Sequence, residues 1–330
     1  MKKSVYKAQF NYENRVDLGK SIPLDSPLVV YVEPSSFCNL ECKFCPQHTG
    51  KSEFQKFNMT REIFDKLLLD IREFKTKPKL MRFCGIGDPL FNKHTAEFIE
   101  AVKREDVVER TELITNGLLL NEKIIPIIAG SLDRIVISVE GLSSADYLSF
   151  TLKKINFEKF VSNIASLYSI SGRNCTVHIK IHNQSVLTKD REQTFFKIFE
   201  GISDEIYIEN LVDLWPEKQS NLGLDAGHRF EGGGVSSSLV CPQIFKSMQV
   251  NADGRVLPCC VDWKSINIVG DVKNQSLHKI WNDKPIMELR KRHLSGERFS
   301  FSPCQGCNHN EYSEKDNIDN VREAIYNLLF

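Results

Sequence analysis

Three cysteines within eight residues set the terms for this chain. Cys38, Cys42 and Cys45 lie in Phe37-Cys38-Asn39-Leu40-Glu41-Cys42-Lys43-Phe44-Cys45-Pro46, three residues separating the first pair and two the second. Thiolates this close cannot all be paired as disulfides, and an odd number cannot pair internally at all. Such density suits a soft metal, above all iron–sulfur, whose ligands are cysteine thiolates. Three ligands on a four-iron cube leave one iron without a protein ligand. An open coordination position marks a reactive site rather than a structural one, as it does for zinc. The competing reading is three buried cysteines, or part of a zinc knuckle.

Composition narrows the setting. Lys plus Arg and Asp plus Glu both number 43, so no strong field favours nucleic acid or an anionic membrane. Met1-Lys2-Lys3 is basic, but Ser4 to Arg15 has no apolar h-region, and no apolar run approaches bilayer length. A cytoplasmic protein is expected, bound to neither nucleic acid nor membrane. Its ten cysteines then serve metals rather than a disulfide framework.

Periodicity gives an alternating α/β chain. Strands are expected at Leu28–Glu33, Lys79–Cys84, Glu112–Thr115, Arg134–Val139, Thr176–His182 and Glu205–Asn210. Helices are expected at Met59–Phe74 (Thr60 as N-cap), His94–Arg104, around Asn121–Ile128, Phe157–Tyr168 and Thr194–Phe199. Six strands alternating with helices imply a parallel sheet with helices outside. The block is shorter than the roughly 250 residues of an eight-fold barrel. Along the fifth strand Val177, Ile179 and Ile181 alternate with His178, Lys180 and His182, so apolar residues should meet helices and polar ones the interior. Arg82 and Cys84, Ser138 and Glu140, and Tyr207 and Glu209 repeat the pattern. A polar interior suits a cavity for a polar ligand; the alternative is a solvent-exposed sheet face.

The cysteine stretch resembles the CxxxCxΦC motif of the radical S-adenosylmethionine (AdoMet) superfamily, with Phe44 at the aromatic position. The resemblance implies a partial (β/α)6 TIM-like barrel. It also implies a [4Fe–4S] cluster on Cys38, Cys42 and Cys45 whose open iron chelates AdoMet, and reductive cleavage of AdoMet to a 5′-deoxyadenosyl radical. Phe44 would lie near the adenine. Cys84-Gly85-Ile86-Gly87-Asp88-Pro89-Leu90 resembles the family's GGEP stretch, with Asp88 in place of glutamate. There the backbone around Gly85, Gly87 and Asp88 would receive the AdoMet amino group, glycine permitting the close approach. Thr115-Asn116-Gly117 and Ser138-Val139-Glu140-Gly141 resemble further family stretches at strand ends. On that resemblance Asn116, Ser138 and either Lys180 or His182 are assigned to AdoMet, and His178 and Glu209 are candidates for substrate contact.

A second cysteine set comprises Cys241, Cys259, Cys260, Cys304 and Cys307. By spacing alone, zinc and iron–sulfur both fit. The set resembles the SPASM extension of the same superfamily: Gly254 and Cys259 match its Gly-x4-Cys piece, and Gly270-Asp271 and Ser276 to Asn282 the stretch after it. Four ligands, Cys241, Cys259, Cys304 and Cys307, imply one fully ligated auxiliary [4Fe–4S] cluster. The expected organisation is an N-terminal arm (1–27), the barrel (28–212), a linker (213–240), a small SPASM-like domain (241–310) and a C-terminal helix (311–330), the helix itself starting near Asn317. In the linker, Trp215, His228 and Arg229 could reach over the barrel mouth or be surface residues.

The functional expectation is hydrogen-atom abstraction from a polar small molecule (sugar, cyclitol or similar), ending in oxidation or epimerisation, with a flavodoxin- or ferredoxin-type electron donor. A peptide substrate is the alternative; peptide-modifying relatives often carry a recognition domain, for which the arm leaves no room. A non-catalytic iron–sulfur or zinc protein is the alternative outside enzymes. Cys260 adjoins the ligand Cys259, and neighbours in an extended stretch point oppositely. Its thiol is therefore a candidate hydrogen donor to a substrate radical, against the plainer role of a small buried apolar residue.

Overall fold

The computed structural model describes residues 3–9, 16–49, 55–212, 214, 227–309, 311 and 316–330. Trp215 and most of the expected linker lie outside the described residues. Six strands run as the alternation requires: β2 (Val29–Val32), β3 (Leu80–Phe83), β4 (Thr111–Thr115), β5 (Arg134–Val139), β6 (Thr176–His182) and β7 (Glu205–Glu209). All neighbouring pairs from β2 to β7 are parallel and in sequence order. The N-terminal arm adds β1 (Val5–Tyr6), parallel to the far edge of β7.

The sheet continues past the boundary expected near residue 241. Strand β8 (Ser247–Val250) pairs in parallel with β2, and β9 (Arg255–Leu257) and β10 (Gly270–Asp271) follow antiparallel. Among the described residues ten strands thus form one sheet, ordered β1-β7-β6-β5-β4-β3-β2-β8-β9-β10. The cysteine-rich segment is built onto the strand that leads into the Cys38 loop.

Helices cover the apolar face. Thr60 caps Arg61–Ile71 by accepting the Ile63 N–H, and that helix buries Phe64, Leu67, Leu68 and Ile71. The helices Thr95–Glu105 and Phe157–Ser169 bury Phe98, Ile99 and Val102, and Phe160, Ile164 and Leu167. Three helices depart from expectation. The one sought at Asn121 begins at Ile125, because the Asn121 side chain accepts the Lys123 and Ile124 N–H groups in a turn. The one sought at Thr194 begins at Lys189, capped by Thr188. The C-terminal one is Arg322–Leu329, preceded by a tighter turn over Asp319–Val321. A further helix, Ser144–Thr151, had no strong apolar period to announce it; Ser143 caps it. No helix among the described residues is long and apolar enough to cross a membrane.

Side-chain alternation holds on both faces. Val177, Ile179 and Ile181 are fully buried toward the helices. On the inner face a chain of charges crosses the sheet. Arg82 donates to Glu112 at 2.5 Å, Arg134 to Glu112 at 3.0 Å and to Glu205 at 2.7 Å, and Lys7 to Glu205 at 2.6 Å. Burial alone would raise the Glu112 pKa, but the Arg82 and Arg134 guanidiniums outweigh it and hold the carboxyl below its usual range. His178, with no exposed surface, sits 2.8 Å from Arg134 Nη2 and 3.1 Å from Glu205. It takes part in this buried network of ion pairs, and its Nε2 has no protein partner, so the substrate contact expected of it has to be made through the network rather than from an exposed face.

Candidate active site

The three-cysteine loop leaves β2 and is clamped from several sides. Gln47 Nε2 donates to Ser36 O at 2.7 Å and to Ile86 O at 2.8 Å. The Asp88 N–H donates to Phe37 O at 2.9 Å, and Glu41 and Lys43 give their N–H groups to the carbonyls of Thr151 and Phe150. Asn116 Nδ2 donates to Asn39 Oδ1 at 2.7 Å and lies 3.8 Å from Cys38 Sγ. Gly87 is where the two loops meet: a Cβ there would lie 2.4 Å from Ser35 O and 2.5 Å from Phe37 O. Gly117 takes a φ of +73°, the left-handed conformation its turn requires.

Asp88 serves the loops rather than open space. Its carboxylate accepts the Leu90 N–H at 2.9 Å, the Thr115 hydroxyl at 2.8 Å and the Asn116 N–H at 2.8 Å. The shortened acid in the family-like stretch thus ties the end of β3 to the end of β4. The Gly85 Cβ position is filled by Glu33 Cγ at 2.4 Å. Glu33 is itself buried, and burial holds its carboxyl above the usual range despite hydrogen bonds from Ile86 and Ala252.

A shelf of rings stands beside the cysteines. Phe44 packs against Phe150 at 5.7 Å and His182 at 6.2 Å, and His182 stacks on Phe150 at 4.3 Å between centroids. His182 Nε2 is 3.3 Å from the Glu140 carboxylate and 3.1 Å from Ser185 Oγ, while its buried Nδ1 has no protein partner. Ser138 is half-buried on the inner face of β5. Lys180, beside it, is paired with Glu209, so those two candidates answer each other.

The chemistry of the donors fits the expected clusters. Burial pushes Cys38 up to about 11 and Cys45 up to about 12, and Cys42 well up, with the other loop thiols adding to the rise in Cys42 and Cys45. They are close enough to feel one another's charge, as ligands of one cluster must. Cys241, Cys259, Cys304 and Cys307 line a single cavity. Burial pushes Cys304 up to about 12 and Cys259 well up, and the neighbouring thiols again add to it. Among the described residues no three His, Cys, Asp or Glu side chains converge on one ion. A cubane takes its cysteines on separate irons, and each of the two cysteine sets supplies thiols for one. Cys260 turns the other way. It lies near Tyr31 on the inner face of β2 and feels the charge of Arg82.

Some site residues carried no sequence signal. Gln47 and Asn39 flank the cysteines without a motif, and Phe150 lies in the helix that periodicity missed. Glu33 had a signal: it is two residues after Tyr31, with the parity of the inner face.

A parallel partial barrel with an open-site cysteine triplet at a strand end, glycine loops beside it and a second four-cysteine cavity defines a radical AdoMet enzyme. A family model described as the radical SAM superfamily matches residues 32–193, and one described as an iron–sulfur cluster-binding domain (SPASM) matches residues 241–308. The chain belongs to the radical SAM superfamily and carries a SPASM domain; it takes a [4Fe–4S] cluster, AdoMet and auxiliary iron–sulfur. It is 22% identical over 290 residues to a GTP 3′,8-cyclase of Chlorobaculum tepidum, covering 78% of this chain and 86% of that protein. Among solved structures it resembles native anSMEcpe with bound AdoMet, at TM-score 0.61 and 16% identity, covering 92% and 96% of the two chains. That protein has also been solved with the Cp18Cys peptide. The structure of BtrN with AdoMet and 2-DOIA matches at TM-score 0.55 and 18% identity, covering 89% and 98%.

Proposed function

We propose that this enzyme removes a hydrogen atom from a polar small molecule, a sugar, cyclitol or similar, and that Cys260 returns one to the same carbon. The cluster and AdoMet supply a carbon-centred radical able to break a C–H bond. Phe44, Phe150 and His182 are suited to hold a flat ring beside the cysteines, and Asn116, Ser138 and the backbone at Gly85 and Gly87 to hold the rest of AdoMet. The loop clamps keep water out and fix the reacting atoms. The observation that carries the reading is the Cys260 thiol, which lies near Tyr31 and Arg82 of the inner face rather than among the cysteines that line the auxiliary cavity. After the first hydrogen is taken, the Cys260 S–H bond breaks and a C–H bond forms on the opposite face of the substrate carbon. One electron and one proton then restore the thiol. A flavodoxin- or ferredoxin-type donor supplies the electron, which can arrive through Cys259 one residue away.

The polar inner face and the likeness to BtrN with 2-DOIA support a small molecule; the likeness to anSMEcpe with a peptide keeps a peptide as the second reading. Oxidation is the other outcome, the auxiliary site then receiving an electron from the substrate. Turnover in D2O tests the choice. Thiol hydrogens exchange with solvent, so a donor role places one deuterium in the wild-type product and none in that of Cys260→Ala. A product two hydrogens poorer, unlabelled and formed normally by the variant, overturns the donor role. Cys84, also on the inner face, is the control thiol.

A further inference from the structure

The auxiliary cavity contains a hydrogen-bond donor that the protein itself leaves unanswered. His293 is 1% exposed and lines the cavity with the four cysteines. Its Nδ1 accepts the backbone N–H of Cys241 at 3.4 Å. The ring proton is therefore on Nε2. That Nε2 is buried and has no protein partner. A buried N–H without an acceptor forfeits its solvation with nothing in return, so native structures rarely leave one. The ring is held in place by an edge contact with Phe301, 5.7 Å between centroids. On the same wall Arg298 is also 1% exposed, donating to Ser238 O at 2.9 Å and to Cys307 O at 2.7 Å. A cation is thus buried against the main chain of one proposed ligand.

We propose that His293 Nε2–H donates a hydrogen bond to a sulfur of the auxiliary cluster and, with the Arg298 charge, raises that cluster's reduction potential. This rests on the reading that Cys241, Cys259, Cys304 and Cys307 hold the cluster. The direction follows from charge. Four thiolates give an oxidised [4Fe–4S] site a net negative charge, and reduction adds another. A donor aimed at sulfur, or a nearby cation, stabilises the more negative state more. Outer partners of this kind routinely tune a metal site without touching the metal. His293 is then a positioning and tuning residue, and the electron level of the auxiliary site is set from the helix Lys284–Leu294 that carries it.

The test uses full-length protein with Cys38, Cys42 and Cys45 changed to Ala, so that only the auxiliary cluster remains. Its midpoint potential is read by EPR-monitored redox titration. In that background His293→Phe should shift the equilibrium about tenfold toward the oxidised form, 59 mV for one electron. His293→Gln, which keeps an N–H near the Nε2 position, should recover most of the shift. Pulsed EPR of the reduced cluster with 15N-histidine should show a weakly coupled nitrogen and a proton that exchanges in D2O, both lost in His293→Phe. An unchanged midpoint in His293→Phe at full iron content overturns the proposal. So does the absence of nitrogen and exchangeable-proton couplings when His293 is intact, which decides the matter even if His293→Phe loads no iron. Iron lost from both single variants makes His293 a structural residue and equally overturns it. Absence of iron from the starting triple variant would overturn the four-cysteine site itself, a result distinguishable before any potential is measured.

Discussion

Glu33 and Ala252, 219 positions apart in sequence, are joined by a hydrogen bond of 3.3 Å from the Ala252 N–H to the Glu33 carboxylate. The other oxygen of the same carboxylate accepts the Ile86 N–H at 3.0 Å. One buried side chain thus joins the end of the first barrel strand, the glycine loop after β3 and the β8–β9 turn of the SPASM segment. Glu33→Gln should lower the thermal midpoint of the iron-loaded protein by an amount equivalent to ~1–3 kcal/mol, since the new amide cannot accept both N–H groups. A midpoint equal to wild type would show that the junction contributes nothing.

The charge chain under the site makes a pH prediction. Arg82 and Arg134 hold the Glu112 carboxyl below the ordinary glutamate value of 4.5. A carboxylate whose folded pKa is depressed adds stability that is present above the unfolded value and is lost as pH falls through the folded one. Wild type should therefore lose stability below about pH 4.5, and Glu112→Gln should lose it less steeply. At neutral pH the same variant weakens the pairing of the buried Arg82 guanidinium, while Arg134 keeps Glu205, and should cost on the order of 3 kcal/mol in urea unfolding.

Replacing Cys38, Cys42 and Cys45 by Ala should abolish 5′-deoxyadenosine release while leaving roughly one cluster of iron. Full iron content in that variant would contradict the division into two sites. Replacing Cys304 and Cys307 should remove the other cluster and lower solubility, because folding of that segment is coupled to metal binding. A soluble variant with unchanged iron would argue against an auxiliary site.

Gly87→Ala should behave as a loop variant rather than a core one. Its methyl group would meet the Ser35 and Phe37 carbonyls, backbone atoms that cannot swing aside. AdoMet affinity, followed by titration against the cluster absorbance, should fall by at least tenfold with the remaining fold intact by circular dichroism. Wild-type affinity would mean that the two loops can separate without consequence.

Much of this was legible in the chain itself, for reasons that differ by element. β5 and β6 match the sequence expectation to the residue, β6 because of its strict alternation and β5 because of its β-branched run between turns. The helix Ser144–Thr151 was missed because its apolar residues cover no single face; it is fixed instead by Ser143 and by its grip on the Cys42 loop. The fifth-strand register was right, yet His178 is buried among ion pairs, because alternation states which face a side chain takes and not how its neighbours neutralise it. Lys180 and Glu209 are a further case: alternation places each on the inner face, and only the pairing of β6 with β7 makes them partners. β8 on β2 was invisible, since no local pattern encodes a pairing over two hundred residues long.

That last pairing bears on how the protein is made. A ribosome delivers Val29–Val32 early, but the segment that covers one side of it, Ser247–Val250, follows more than two hundred residues later. Through most of synthesis the strand leading to Cys38 is an open edge, able to pair with any other extended chain. Contacts so distant in sequence form slowly. The nascent protein therefore presents its reactive cysteines on an unfinished rim, and iron delivery to the first site is expected to wait on the synthesis of the second.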